Sequence, residues 1–312
     1  QTRSAREISQ AIEGRGGYFN AFTQEESTCY YARITPEYGW EALDILADMY
    51  LHPLFDRGDM EKEKGVIIEE IMMYRDQPHQ WVQDMLGELL WRRHPLGRPL
   101  IGTPQNITRM TRDDVLQFKR VKYATRNTLV AAAGRVEHDE CVAQVRRHFG
   151  RLREGRPGAA VRVSRSVGQG DVRLERKDIE QSHLALGVRL FGRHDPRRYA
   201  LKLLSVVLGE NMSSRLFQVV RERHGLAYSI HTSCHLFGET GTMVVSAGLD
   251  RSRTQRALDL IASEMKHIRE KRIPATELRR AKDYAIGQLK LGLESTTNQM
   301  IWLGEQIMGY DK

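Results

Sequence analysis

The 312-residue chain carries 48 Lys and Arg against 40 Asp and Glu, a formal net charge of +8, with 40% hydrophobic residues. That length exceeds one typical domain and fits two of about 150 residues. The composition is that of a globular protein, and no apolar run approaches the roughly 20 residues of a membrane span. Cys29, Cys141 and Cys234 are far apart and lack C-x-x-C spacing. They read as free thiols of a reducing compartment, here the cytoplasm, which excludes a disulfide frame and a zinc knuckle. The basic residues are scattered, with local clusters at 146–147, 151–165 and 269–272, and no recognised nucleic-acid module accompanies them. They read as solvated surface, so neither a membrane nor a nucleic-acid partner is expected.

Ser4 to Glu7 has the S-x-x-E pattern of a capping box, and Ala5, Ile8 and Ile12 then recur on one helix face. Gly14, Gly16 and Gly17 end that helix. Residues 18–34 are aromatic and β-branched around a polar tetrad, the pattern of a hairpin. Thr35-Pro36 opens a second helix, with Trp40, Leu43, Leu46 and Ala47 expected on its inner side. A third covers 61–78: Asp59 is the expected N-cap, Val66, Ile67, Met73 and Tyr74 recur at helical spacing, and Pro78 marks the stop. Further helices are expected through 81–91, 111–123 and 139–149, with a short buried strand at Thr128–Gly134 (TLVAAAG).

Residues 151–170, rich in Gly, Arg and Ser, form the expected linker between a first half, 1–150, and a second, 171–312. The second half predicts a strand at 182–190, helices at 196–208 and 215–222, and a hairpin of 227–237 with 240–249. Two more helices follow, over 253–269 and from 275 onward. The halves read as repeats: Ala42-Leu-Asp-Ile-Leu-Ala47 matches Ala257-Leu-Asp-Leu-Ile-Ala262, each in a helix directly after a hairpin. With Lys64 set against Lys282, Glu63 falls on Ala281 and Glu70 on Gln288. Only the first copy keeps both carboxylates. The predicted fold class is α+β, two homologous halves, each a mainly antiparallel sheet with helices packed on one face.

Glu63 and Glu70 are seven residues apart, about two turns at roughly 3.6 residues per turn, so they share a face with Ile67 between them. Burying unpaired charge on an apolar stripe is expensive. Spacing alone leaves a solvated or salt-bridged face, a cation partner, a metal and a raised pKa all open. His231 and His235 stand in a predicted strand, where four residues span roughly 13 Å, too far to share one ion. His79 and His94 flank a helix and read as surface or cap residues.

Three motifs stand in order: Gly16-Gly-Tyr-Phe-Asn-Ala-Phe-Thr23, the pair Glu69-Glu70 with Glu63 ahead of it, and Arg221-Glu-Arg-His-Gly-Leu-Ala-Tyr228. Over essentially the whole chain they resemble the inverzincin peptidases of the pitrilysin/insulysin family, closest to the bacterial relatives of mitochondrial processing peptidase. The resemblance implies a zinc metalloendopeptidase that cuts peptides or unfolded protein segments held as an added β-strand. It implies that Glu70 is the third zinc ligand and Glu63 a supporting acidic residue. Asn20 and Ala21 would line the strand edge that holds substrate, small Ala21 admitting a backbone and Asn20 donating and accepting near the scissile bond. Arg221 would offer its planar fork and Tyr228 its hydroxyl from the second half. Without the family, the residues favour an Asn in a hairpin turn, and the alternative for Arg221 and Tyr228 is a surface Arg and a strand Tyr packed in the core.

The family's H-x-x-E-H motif, source of the other two ligands and the general base, is absent from the 312 residues. The expectation is a fragment truncated at both ends, ahead of Thr2–Ile8 and after Asp311-Lys312, that is inactive in isolation. Retention of Glu70 together with Arg221 and Tyr228 implies a homodimer. The alternatives are a heterodimer with a homologous subunit, or a catalytically inactive scaffold of the same fold.

Overall fold

A computed structural model describes residues 3–155, 158, 160–164 and 170–310. Thr2, Asp311 and Lys312 lie outside the described residues, as do 156, 157, 159 and 165–169 of the expected linker. In chain order the elements are α1 (Ala5–Ile12), β1 (Tyr18–Thr23), β2 (Thr28–Arg33), α2 (Gly39–Leu51), α3 (Arg57–Arg75) and α4 (Pro78–Leu90). Next come α5 (Pro104–Arg109), α6 (Arg112–Lys122) and α7 (His138–Phe149). After these follow β3 (Gln181–Phe191), α8 (Arg198–Gly209), β4 (Ala227–Leu236), β5 (Thr240–Asp250), α9 (Thr254–Glu270), α10 (Ala275–Gly292) and α11 (Thr296–Tyr310). No helix among the described residues is long and apolar enough to cross a membrane. The residues gather into two compact units, one of Gln1–Glu69, Leu100–Ala160 and Leu293–Lys312, the other of Glu70–Pro99 and Val161–Gly292.

In the first unit the capping box forms as its sequence requires: Ser4 Oγ accepts from the Glu7 amide and Glu7 Oε2 accepts from the Ser4 amide. Ile8 and Ile12 then bury against Ile45, with Phe19, Ala32 and Ile34 around them. β1 and β2 pair antiparallel, Tyr18 opposite Arg33 and Thr23 opposite Thr28. The buried face of α2 is not the expected one. A 3₁₀ turn at Pro36–Tyr38 delays the α-helix to Gly39. Ala42, Ile45 and Ala47 are buried, whereas Trp40, Leu43 and Leu46 are only half-buried.

The N-cap of α3 is Asp56 rather than Asp59, because the helix starts at Arg57. Asp56 Oδ1 accepts from the amides of Gly58 (2.8 Å) and Asp59 (3.1 Å). Pro78 does end this helix, and it also occupies the first position of α4. Residues 128–134 form no strand. Thr128 is extended (φ −127°, ψ 129°), but the segment has no ladder partner among the described residues. A strand exists only beside another. α6 carries a second capping box, Thr111 Oγ1 accepting from the Asp114 amide at 3.2 Å and Asp114 Oδ2 from the Thr111 amide at 2.8 Å. Thr111→Ala is expected to cost about 1 kcal/mol, read as a lowered urea midpoint with unchanged slope.

The second unit is built on an antiparallel sheet of order β3-β5-β4. β5 is buried along nearly its whole length. Its Met243, Val245, Ala247 and Leu249 join Ala257 and Ile261 of α9, while Ser246 on the alternate side accepts a hydrogen bond from Gln83 of α4. α4 docks closely on β3: a Cβ on Gly187 would meet Leu86 Cδ2 at 2.9 Å. Residues 171–177 run beside the end of α3, α4 and the residue Arg92 after it, each alternate residue bonded there. Asp171 pairs with Arg92, Arg173 with Glu88, Glu175 accepts from Trp81 Nε1, and Lys177 reaches Asp76 and the Arg75 carbonyl. The residues between point outward, Val172 92% and Leu174 77% exposed.

The same order of elements occurs twice: β1 and β2, a 3₁₀ turn, α2 and α3, then β4 and β5, a 3₁₀ turn at Arg251–Arg253, α9 and α10. Ala42 and Ala257 are both buried. On the register that aligns Lys64 with Lys282, Ala281 is buried where Glu63 is exposed.

Candidate functional site

The first hairpin presents an open edge. The Gln24 amide donates to the Ser27 carbonyl at 2.8 Å, which sets the phase of the ladder. Hydrogen-bonded and non-bonded pairs alternate from there, so Ala21, opposite Tyr30, directs its N–H and C=O away from β2. β1 has no second neighbour among the described residues. The Ala21 amide instead donates to Asn20 Oδ1 at 2.8 Å, and Asn20 Nδ2 bonds to the Tyr18 hydroxyl. Asn20 and Ala21 are both exposed and lie in the strand, not in a turn.

Glu63 and Glu70 project from the exposed side of α3. The expected apolar stripe is largely solvated too: Val66 and Met73 are half-exposed, Tyr74 is exposed, and Ile71 is the buried contact of the helix. Lys64 pairs with Glu61 and Lys62 with Asp59. Neither Glu63 nor Glu70 forms an ion pair among the described residues, so nothing there explains them as a salt-bridged pair. No group of three or more His, Cys, Asp or Glu among the described residues could hold a metal ion. Glu70 brings one carboxylate, and these residues do not make a zinc site by themselves.

Arg221 and Tyr228 do come together. The expected helix at 215–222 is mostly a π-helical turn, Phe217–Arg223, whose Val220 is buried. Gly225 follows at φ +58°, a conformation that favours glycine, and its amide donates to the Arg221 carbonyl. The chain then enters β4 through a bulge between Ala227 and Ser229. Tyr228 is the bulged residue and is 76% exposed, not packed in the core. The Arg221 guanidinium carbon lies 5.9 Å from the centre of the Tyr228 ring and 4.7 Å from that of Phe217. Its nearest carboxylate is Glu222, at 3.8 Å. Sequence reasoning misses Phe217, although Phe-x-x-x-Arg is the spacing at which helical side chains meet.

The histidines take ordinary places. His231 and His235 lie on β4 opposite Ser246 and Thr242. His94 caps a 3₁₀ turn, accepting from the Leu96 amide. His79 faces His183 with ring centres 6.3 Å apart, and burial, then His79, hold the His183 pKa below its usual value.

Residues 1–104 match the model for insulinase, peptidase family M16, and residues 109–284 the model for the peptidase M16 inactive domain. An uncharacterized zinc protease of Mycobacterium leprae is 40% identical over 314 residues, spanning all of this chain and 71% of its own. Among solved structures, a protease from Helicobacter pylori shares the fold with a TM-score of 0.91 at 19% identity, over all of this chain and 77% of that one. A chain of complex III2 from Candida albicans does so with a TM-score of 0.83 at 17% identity, over 100% and 74%. The chain belongs to peptidase family M16, the insulinase family of zinc peptidases.

Proposed function

We propose that the protein is a zinc-dependent metalloendopeptidase that hydrolyses peptides or unfolded protein segments bound as an added β-strand. The observation that best supports this is the pairing of Arg221 with an exposed Tyr228. A guanidinium edge and a phenol beside one another can donate to a substrate carbonyl or carboxylate and to the oxyanion that forms from it. The outward amide and carbonyl of Ala21 support the mode of binding. A substrate strand would take the Ala21 amide from Asn20 Oδ1, freeing that oxygen for the substrate backbone while Nδ2 stays on the Tyr18 hydroxyl.

Glu70 is our candidate zinc ligand and Glu63 its acidic support. The other two ligands and the base would come from an H-x-x-E-H motif, which residues 1–312 do not contain. Residues 1–312 alone are therefore expected to hydrolyse no peptide, while the intact gene product cleaves an unstructured peptide, loses activity to a chelator and regains it with zinc. A homodimer is the assembly that fits a chain holding both Glu70 and the Arg221–Tyr228 pair. A second reading, a catalytically inactive scaffold or partner subunit, is favoured by the match of residues 109–284 to the model for an inactive domain. An intact product that binds no zinc and cleaves nothing would establish that reading.

A further inference from the structure

Leu216 and Val220 are fully buried in the core of the second unit. The residues one step on, Phe217 and Arg221, emerge together on the outer side of the π-helical turn. Phe217 is half-buried, and the core contacts of this turn are already made by its two neighbours. The ring lies instead under the Arg221 guanidinium, at 4.7 Å, with the Tyr228 ring at 5.9 Å. Both distances are inside the roughly 6 Å reach of a cation–π contact. Two uncommon backbone features, the π turn and the β-bulge at Tyr228, bring these three side chains to one place.

An arginine only partly buried is otherwise free to adopt many rotamers, and Glu222 at 3.8 Å is too far for a hydrogen bond that would fix it. We propose that Phe217 is the positioning residue of the Arg221–Tyr228 pair: its ring fixes the plane of the guanidinium and leaves the N–H edge free for substrate. This inference rests on Arg221 and Tyr228 facing substrate in the proposed peptidase.

The test uses the intact gene product, an unstructured fluorogenic peptide and NMR of the Arg221 Nε–Hε group, assigned by its loss in Arg221→Lys. Phe217→Leu is expected to remove most of the ring-current shift of Arg221, leaving the smaller part due to Tyr228, and to lower kcat about tenfold with little change in KM. Phe217→Trp, which keeps a ring under the cation, should retain both the shift and kcat. Adding Phe217→Leu to Arg221→Ala should lower kcat no further. An Arg221 resonance unmoved by Phe217→Leu overturns the stacking outright. Loss of kcat in Arg221→Ala with full kcat in Phe217→Leu overturns the positioning role alone. Full activity in Arg221→Ala shows instead that the reading of Arg221 fails, and the positioning role falls with it.

Discussion

Glu70→Gln in the intact protein is expected to remove its zinc and to lower peptide hydrolysis by more than about 100-fold. The magnitude follows from the weaker case: losing a group that merely supports a ligand already costs 10–100-fold in metal affinity or activity. Glu63→Gln should fall in that lower range, about 10–100-fold, with zinc retained. Apart from the stabilisation that bound zinc itself supplies, stability should not confuse the reading. Glu70 is exposed and forms no ion pair among the described residues, and substitutions at such positions usually stay within about ±0.5 kcal/mol. Zinc per protein, measured by elemental analysis beside the thermal midpoint, decides the matter. A Glu70→Gln protein with full zinc content would remove Glu70 from the ligand set.

Why the carboxylates stand where they do is only half legible in the sequence. Their spacing on one helix face is readable, since a two-turn separation is a property of the α-helix. The stripe that makes them look costly is misleading. Val66 and Met73 have helical periodicity but are half-exposed, and periodicity reports a face without reporting what covers it. Without burial the desolvation argument lapses. What remains unexplained by salt bridges is two acidic side chains beside two lysines that pair elsewhere.

Local signals serve best where the whole mechanism lies within a few residues. Ser4 with Glu7, Thr111 with Asp114, and Pro78 all act at the positions their chemistry specifies. They mislead where a neighbour a few residues away can do the same work, as Asp56 does in place of Asp59. They mislead again where the property belongs to a pair of segments: 128–134 has strand composition but no strand alongside it. The Arg221–Tyr228 stretch is found by its motif, yet the π turn and bulge that aim it leave no periodic trace. An i→i+5 turn differs from an α turn by one residue, inside the usual uncertainty of element boundaries. Residues 171–177 show the opposite case. No element is expected at 171–177, yet alternate side chains there bond to α4 and to the residues that flank it.

The second large effect concerns the scaffold behind the candidate site. Arg215, two residues before Phe217, donates from Nε and Nη2 to the two oxygens of Glu277 on α10, at 2.9 and 2.7 Å. The two side chains are only 20% and 19% exposed. Hydrogen bonding from Arg215 holds the Glu277 pKa below its ordinary value of 4.5, against an opposing effect of burial, and Arg280 assists. Breaking a buried pair costs about 3–5 kcal/mol and an exposed one about 0–1, so Glu277→Gln should destabilise the protein by about 2 kcal/mol at pH 7. Arg215 is held above its usual pKa by the same contact and stays charged throughout.

The pH dependence then has a fixed sign. A carboxyl whose folded pKa is depressed contributes stability that is fully present above its unfolded pKa and is lost as pH falls through the folded one. The difference in urea unfolding free energy between wild type and Glu277→Gln should therefore be constant above about pH 5 and shrink below about pH 4.5. Toward still lower pH it approaches zero, because a protonated Glu277 and the amide that replaces it present nearly the same shape and charge to Arg215. A difference that instead persists unchanged to about pH 3, well below the ordinary carboxyl range, would mean that the substitution disturbs packing around α10, and that the bidentate pair adds little to stability.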